Sequence, residues 1–270
     1  MKAIKNRACV GAAALVLSAS SALFSCQTVA ETGRTQLTWF PEDYLAKTAL
    51  SAYAEETGKY PEIKAGPDYQ MVQRLGKRLA KACGKEYEWE FRLLSAPEVV
   101  NAFALPGGKV AIYTGLLAVT QNEDALAAVV GHEIAHVTAN HGNERMTQNA
   151  IGQGAIMAAD AALDSWEKLE GDDKVAVSSA LGMATQVGVL LPFSRLHESE
   201  ADEIGLRYLV RAGYDPEQAP LLWERMAKLG GKKEGGVLED MLSTHPDPLD
   251  RATRLRELIP KIVAEESNTQ

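Results

Sequence analysis

The sequence predicts a mainly helical α+β fold. Apolar residues recur at steps of three and four residues through much of the 270-residue chain, which is the period of an amphipathic helix. Three short segments have the composition of strands, and two of them flank Pro106-Gly107-Gly108, a strong turn signal. A small sheet is therefore expected among packed helices.

The predicted elements follow one another with short connections. Strands are expected at 88–94, 101–105 and 109–113. Helices are expected at 42–56, 67–83, 124–141, 195–211, 216–229 and from 248 onward, with further helical segments within 144–193. Thr120 and Glu123 have the spacing of a capping box, and Asp247 is expected to cap the last helix with Pro248 in its first turn.

Composition excludes one class of partner. Hydrophobic residues make up 46% and charged residues 24% of the chain, as in ordinary globular proteins. The formal net charge is −8 at pH 7. Because an acidic surface repels a phosphate backbone, nucleic acid is not expected as a partner.

The N-terminus has the form of an export signal. Three basic residues open the chain, namely Lys2, Lys5 and Arg7. An uncharged, mostly apolar stretch follows at 8–24. Leu23, three residues before Cys26, together with the small residue just before that cysteine resembles a bacterial lipobox. We therefore expect a signal peptide at 1–25 and a lipid on Cys26. Ordinary cleavage near residue 30 and an uncleaved anchor are the alternatives.

This interpretation also predicts where in the cell the protein is located. A lipidated, exported protein is expected in the periplasm, in contact with a membrane through its lipid, and the absence of an aspartate after Cys26 favours the outer membrane.

A second apolar segment, Val175 to Ser194, has no charged residue over 20 positions. Polar residues and glycines dilute it, so we expect a helix that is buried or covers the active site. A membrane span is the alternative.

The motif that indicates a catalytic function is His132-Glu133-Ile134-Ala135-His136. Residues four apart on a helix share a face, so His132 and His136 can bind one zinc ion while Glu133 reaches a water beside it. Zinc lowers the pKa of that water, and the carboxylate takes its proton. The alternative is a pair of helix histidines at a surface. The apolar stretch at 125–131 argues against it, because burying such groups without a metal is costly.

A catalytic zinc ion needs a third protein ligand and an open position. Residue chemistry leaves several candidates open. They are Glu198, Glu200, Asp202, His141, His197 and His245. Glu198 and Asp202 are four apart on a predicted helix, so one can bind the metal while the other supports a histidine.

Four motifs in order resemble those of the CAAX-prenyl-protease-type zinc metallopeptidases, a family of gluzincins. They are Asn101-Ala102-Phe103-Ala104 with Pro106-Gly107-Gly108, His132-Glu133-x-x-His136, Ser194-Arg195-x-x-Glu198-x-Glu200-Ala201-Asp202, and Thr244-His245-Pro246. The match covers roughly residues 65–257. In plan the chain is closest to single-domain, exported lipoproteins of this family.

The resemblance implies a gluzincin-type domain with one zinc ion per chain. It assigns Glu198 as the third ligand and Asp202 as support for a histidine. His245 would lie near the metal, where it either stabilises the oxyanion or closes the open coordination position in a latent state. Arg251 resembles an arginine that supports the site.

The resemblance also implies how substrate binds. The edge strand of the small sheet would face the active-site helix and pair with the substrate backbone. The strand residues assigned to this role are Asn101, Ala102, Phe103 and Ala104.

His141 lies off the ligand face by about 140° and His197 faces elsewhere, so neither is expected to contact the metal. Glu200 is expected to be exposed to solvent.

These inferences combine into one hypothesis. Residues 26–64 are expected to form an N-terminal helical segment, 65–260 the catalytic domain and 261–270 a polar tail. The resemblance implies a zinc-dependent endopeptidase of the bacterial cell envelope that degrades misfolded or misassembled proteins. One alternative is a zinc-bound assembly chaperone of the outer membrane that rarely cleaves. Another is a structural lipoprotein with an accidental motif and no zinc.

Overall fold

The structure, a computed structural model, describes residues 25–164, 191–230 and 239–268. It begins with two antiparallel strands, β1 (Ser25–Thr28) and β2 (Thr35–Thr38), which we call the N-terminal hairpin. This hairpin lies in the segment that the sequence predicts to be helical. A four-residue strand is too short to show a recognisable period of two, so the helical prediction was incomplete.

Two helices and a short strand follow the N-terminal hairpin. They are α1 (Glu42–Thr57), β3 (Glu62–Ile63) and α2 (Pro67–Cys83). Helix α2 has its proline in the first turn and ends at Gly84, which has a φ of +66°. Both features agree with the predicted boundaries, because proline suits the first turn and glycine the left-handed C-terminal position.

The main sheet has four strands in the order β3-β4-β6-β5, where β4 is Glu90–Leu94, β5 is Ala102–Leu105 and β6 is Lys109–Tyr113. Strand β6 runs parallel to β4 and antiparallel to β5. The turn between β5 and β6 uses Gly107 and Gly108, whose φ values of +85° and +83° favour glycine. The three predicted strands are confirmed, and β5 lies at the edge.

The rest of the chain is helical where it is described. Three helices follow the sheet: α3 (Thr114–Thr120), α4 (Glu123–Thr138) and α5 (His141–Asp164). Four more complete the described residues: α6 (Leu191–Arg211), α7 (Gln218–Gly230), α8 (Glu239–Thr244) and α9 (Pro248–Ser267). The predicted α+β class, mainly helical with a small sheet, is confirmed.

Helix α4 lies at the centre of the fold. It packs against α2, α6, α7 and the edge strand β5. Its residues from Ala125 to Ala135 are all buried. A helix that is apolar on every side is stable only when neighbours cover every side. His132 and Glu133 are therefore held inside the core, while His136 lies at its edge with a side chain that is 18% exposed.

Several local predictions need correction. Asn122, not Thr120, caps α4, since its side chain accepts a hydrogen bond from the Ala125 amide at 2.7 Å. The predicted helix 124–141 is interrupted at Asn140, whose φ of +60° ends one helix before the next begins at His141. Asp247 precedes the last helix but makes no capping hydrogen bond with its side chain.

Some predictions fall outside or at the border of the described residues. The signal segment up to 24 and most of the uncharged segment, 175–190, lie outside them. The last helix continues to Ser267 with Ile262 fully buried, so it extends into the segment predicted as a polar tail. Within the described residues, no helix combines the length and apolar character needed to cross a bilayer.

Candidate metal centre

Three elements bring four possible metal ligands together. His132 and His136 come from α4, Glu198 from α6 and His245 from the residues after α8, and one ligand atom of each lies within 4.8 Å of the others. The Nε2 atoms of the two helix histidines are 3.0 Å apart. The Oε2 atom of Glu198 is 3.2 Å from His132 Nε2 and 2.8 Å from His245 Nδ1.

Two glycines allow α4 and α6 to approach closely enough to form this cluster. A Cβ atom on Gly205 would lie 2.9 Å from the backbone nitrogen of His132 and 3.0 Å from its Cα. A Cβ atom on Gly131 would lie 2.9 Å from the side chain of Leu209. Any larger residue at Gly205 would separate the helices, so the glycine sets the distance from Glu198 to the two histidines.

The second nitrogen of His132 is bound on the opposite side of its ring. Its Nδ1 atom is 3.1 Å from Asp202 Oδ1. Because a carboxylate only accepts, Nδ1 carries the hydrogen and Nε2 presents its lone pair to the cluster. Asp202 is held in turn by Arg251, whose Nε donates to Oδ2 at 2.9 Å. Both side chains are almost fully buried.

The second nitrogen of His136 is bound by another histidine. His136 Nδ1 is 2.9 Å from His141 Nδ1, and His141 Nε2 is 2.9 Å from Glu200 Oε2. Glu200 is only 5% exposed, so the prediction that it faces solvent is wrong. The period of one helix does not show that a second helix and the N-terminal hairpin cover that face.

Residues far away in sequence complete this side of the site. Arg34 of the N-terminal hairpin donates to Glu200 at 2.8 Å and to Glu144 at 2.7 and 2.9 Å. Glu144 accepts from His197, whose ring stacks on His141 with centroids 4.4 Å apart. Sequence reasoning missed Arg34 and Glu144, since no local pattern links positions more than 100 residues apart.

Glu133 lies beside the cluster and is 5% exposed. Its Oε1 atom is 3.3 Å from His245 Nε2. Among the described residues, this oxygen is one of a few buried side-chain atoms without a hydrogen-bond partner. A buried carboxylate oxygen in this position is well placed to accept a hydrogen bond from a water or a substrate group at the cluster.

The electrostatics of the cluster suit a cation. Burial lowers the pKa of His136 well below its usual value, so its imidazole is neutral and can offer a lone pair. Burial raises the pKa of Glu198, but its close contacts with His132, His136 and His245 outweigh it and hold the pKa far below the usual range. Burial and the charge of Arg251 lower the pKa of His132, but the contacts with Asp202 and Glu198 outweigh them and raise it to about 9, so a metal ion takes the place of the proton on Nε2. Imidazole nitrogens and an ionised carboxylate are the donors that Zn²⁺ prefers, and three such ligands are usual in catalytic sites. The residues present therefore fit a metal ion.

The predicted substrate-binding residues lie in, or directly before, a strand that packs against the helix carrying His132 and His136. Strand β5 packs against α4, as the resemblance implies, and has β6 on one side only within the described sheet. Tyr113 donates its backbone N–H to the Asn101 carbonyl. In the antiparallel register that follows, Phe103 pairs with Ala111, so the backbone groups of Ala102 and Ala104 point away from the sheet. The Ala102 amide is bound by the Asn101 side chain at 2.9 Å.

Comparison with known proteins decides the family. The model of Peptidase family M48 matches residues 68–259, a range that includes every residue of the cluster. The chain belongs to peptidase family M48. Members of this family are metallopeptidases, so the predicted enzyme class and the resemblance to gluzincins are confirmed.

Curated M48 relatives come from both eukaryotes and bacteria. The mitochondrial metalloendopeptidase OMA1 of Schizosaccharomyces pombe is 34% identical over 224 residues, covering 81% of this chain and 62% of the relative. The protein of the same name from Arabidopsis thaliana is 38% identical over 196 residues, covering 70% and 36%. The beta-barrel assembly-enhancing protease of Escherichia coli is 31% identical over 207 residues, covering 72% and 40%. The chain thus spans about half the length of these relatives.

These names correct the predicted location. The expectation of a bacterial periplasmic protein at the outer membrane is wrong, because the relatives from S. pombe and A. thaliana are named as mitochondrial enzymes. Basic residues before an apolar stretch mark an N-terminal targeting segment, but basic, acid-poor segments also direct proteins to mitochondria. Cys26 is exposed in β1, and its lipidation stays a prediction.

Proposed function

We propose that this M48 peptidase is a zinc-dependent endopeptidase, with one zinc ion per chain, that cleaves extended segments of misfolded or misassembled proteins. The observation that carries the proposal is the buried cluster of His132, His136 and Glu198 with the carboxylate of Glu133 beside it. We assign the first three residues as ligands, because neutral histidines and a carboxylate form the ligand set of many zinc peptidases.

The catalytic roles follow from position. Zinc in this site supplies Lewis-acid polarisation of the scissile carbonyl and of water. Glu133 takes a proton from the attacking water and delivers it to the leaving amine. Asp202, fixed by Arg251, keeps the Nε2 lone pair of His132 directed at the cluster.

His245 is assigned to the oxyanion. Its Nε2 atom is 3.3 Å from Glu133 Oε1, and this closeness to the proposed general base supports a role beside the attacking water and the carbonyl. A donor there stabilises the negative oxygen that develops during hydrolysis. The alternative role is that of a latch, since His245 Nδ1 also lies 2.8 Å from Glu198 and within reach of the metal position.

The edge strand supports the choice of substrate. The outward backbone groups of Ala104 can pair with an extended peptide, which joins the sheet as a further strand. Only a segment free of its own secondary structure can bind in this way, which favours misfolded or misassembled proteins. We include Asn101, Ala102 and Phe103 in this surface because they belong to the same strand and its start.

One experiment tests the zinc site and the chemistry together. Zinc per chain is measured in the purified wild type, Glu198→Ala and Glu133→Gln, and cleavage of an unfolded protein such as reduced casein is followed in each. We expect one zinc ion in the wild type and in Glu133→Gln, and loss of zinc in Glu198→Ala. Cleavage should fall at least about 100-fold in Glu133→Gln, because general base catalysis contributes that much or more.

The outcomes separate the proposal from its alternatives. A wild type without zinc after metal-replete purification would remove the basis for the enzyme. Full cleavage by Glu133→Gln would show that another group activates water. The alternative is an assembly chaperone, in keeping with the name of the E. coli relative. In that case Glu133→Gln should support growth as well as the wild type does in cells that depend on this protein.

A further inference from the structure

The two helix histidines of the cluster are supported in different ways. His132 has a direct carboxylate partner, Asp202, from within the family-matched range. His136 has instead a chain of partners, His141 and then Glu200. Because the Glu200 carboxylate only accepts, His141 carries its hydrogen on Nε2 and must accept at Nδ1. His136 therefore donates from Nδ1 and presents the lone pair of Nε2 to the cluster.

Arg34 holds the far end of this chain. Its Nε donates to Glu200 Oε2 at 2.8 Å, and Thr32 donates its hydroxyl to the other oxygen of Glu200. The side chains of Arg34 and Glu200 are 19% and 4% exposed, so the pair is shielded from water. A planar guanidinium in such a place fixes the orientation of the carboxylate more firmly than a single charge.

The same arginine also holds the other face of His141. Both Nη atoms donate to Glu144, and Glu144 accepts from His197. The His197 ring lies almost parallel to the His141 ring, with an interplanar angle of 13°. His141 is thus held at its edge through Glu200 and at its face through His197, and Arg34 contacts both carboxylates.

We propose that Arg34 is a positioning residue of the metal centre, which acts through Glu200 and His141 to fix the orientation and tautomer of His136. The N-terminal hairpin is then part of the site, although it precedes residues 68–259 matched by the family model. The inference rests on the proposed zinc function. Partners of this kind typically change metal affinity 10- to 100-fold when they are removed, as an order of magnitude.

The test is the zinc dissociation constant of the purified full-length chain, measured by competition with a chelator of known affinity. Arg34→Gln should bind zinc about 10-fold more weakly or worse, with stoichiometry of one restored at saturating zinc. Thr32→Val is a nearly isosteric change that removes the hydroxyl donor to Glu200 and the long contact, at 3.4 Å, with the backbone amide of Arg34. It should weaken zinc binding in the same direction by a smaller factor. This second variant keeps the test valid if Arg34→Gln does not fold.

Arg211 is the matched control. It also holds the N-terminal hairpin, with donors to Glu31 at 2.8 and 2.9 Å and to Glu266 at 2.7 Å, but it has no contact with His141 or Glu200. Arg211→Gln should lower the urea midpoint of unfolding and leave the zinc dissociation constant within about 2-fold of the wild type.

Each outcome of these measurements either supports the proposed role of Arg34 or overturns it. Equal loss of zinc affinity in Arg34→Gln and Arg211→Gln would show a general docking role of the hairpin and overturn the proposal. Unchanged zinc affinity in folded Arg34→Gln and in Thr32→Val would overturn it as well. Absence of zinc from the wild type would instead refute the proposed function, so the two failures are distinguishable.

Discussion

The guanidinium carbon of Arg251 lies 3.5 Å from the centre of the Trp223 ring. The same guanidinium donates to both oxygens of Asp202, so it is held between an aromatic face and a carboxylate in the core. Arg254 contacts the same carboxylate at 3.1 Å, but its side chain is 37% exposed. The two arginines therefore share a partner and differ in burial.

This difference predicts unequal costs of removal. Arg251→Met should lower the free energy of unfolding by about 3–5 kcal/mol, because it leaves a buried carboxylate without its main partner. Arg254→Met should cost about 1 kcal/mol or less, because water replaces it. Urea titrations of the zinc-free proteins measure both. Equal losses would mean that Asp202 is hydrated.

Gly205→Ala should damage the metal centre as well as stability. The added methyl group meets the His132 backbone at 2.9 Å, so α4 and α6 must separate. We expect a loss of about 1–3 kcal/mol in unfolding free energy, together with weaker zinc binding. Gly154→Ala is the control, since its Cβ would meet nothing within 4 Å. It should stabilise α5 by about 0.5–1 kcal/mol. Normal zinc affinity in Gly205→Ala would show that the helices separate without moving Glu198.

Ala104→Pro should impair substrate binding and leave the metal in place. Its amide points away from β6, so proline removes a donor to the substrate without removing one from the sheet. We expect the KM for an unfolded protein substrate to rise by about 10-fold, since one backbone hydrogen bond is lost. Ala104→Ser keeps the amide and should behave as the wild type. An unchanged KM in Ala104→Pro would place the substrate elsewhere.

His245→Ala should retain zinc and lose activity. Removal of an oxyanion donor lowers kcat by roughly 100- to 1,000-fold. The remaining ligands, His132, His136 and Glu198, are enough to hold the metal. Zinc content and kcat are measured on the same preparation. A rise in activity instead of a fall would identify His245 as a latch.

Acid should weaken the network around Arg34. Burial raises the pKa of Glu144, but hydrogen bonds from His197 and Arg34 outweigh it and lower the pKa from 4.5 to about 2. A carboxyl group whose pKa is lower in the folded state stabilises the fold above its unfolded pKa. This stabilisation is lost as pH falls from 4.5 towards 2.

The matching variant isolates that contribution. Glu144→Gln cannot titrate, so its urea midpoint should fall less than that of the wild type between pH 5 and pH 2.5. The difference between the two proteins in the pH-dependent loss of unfolding free energy is set by the shift of the Glu144 pKa. Above pH 5 the two proteins should differ by a constant amount. Parallel curves across the acid range would show that Glu144 has the same pKa in the folded and unfolded states.

The sequence alone determined the fold class, the strands around the glycine turn and the family. These depend on local patterns, namely helix and strand periods, turn residues and the spacing within His132-Glu133-Ile134-Ala135-His136. It also led to Glu198, His245 and Arg251 as site residues, through their order relative to that motif. The structure places all three at the cluster.

Only the tertiary structure decided what surrounds His136. Glu200 is in a polar pattern and was expected at the surface, yet it is buried beneath a hairpin that begins more than 160 positions earlier in the chain. Helical periodicity shows which residues share a face, but it does not show which element covers that face. Hydrogen bonds and ion pairs such as those of Arg34 act over a few ångströms in space, so their partners are defined only when the chain has folded.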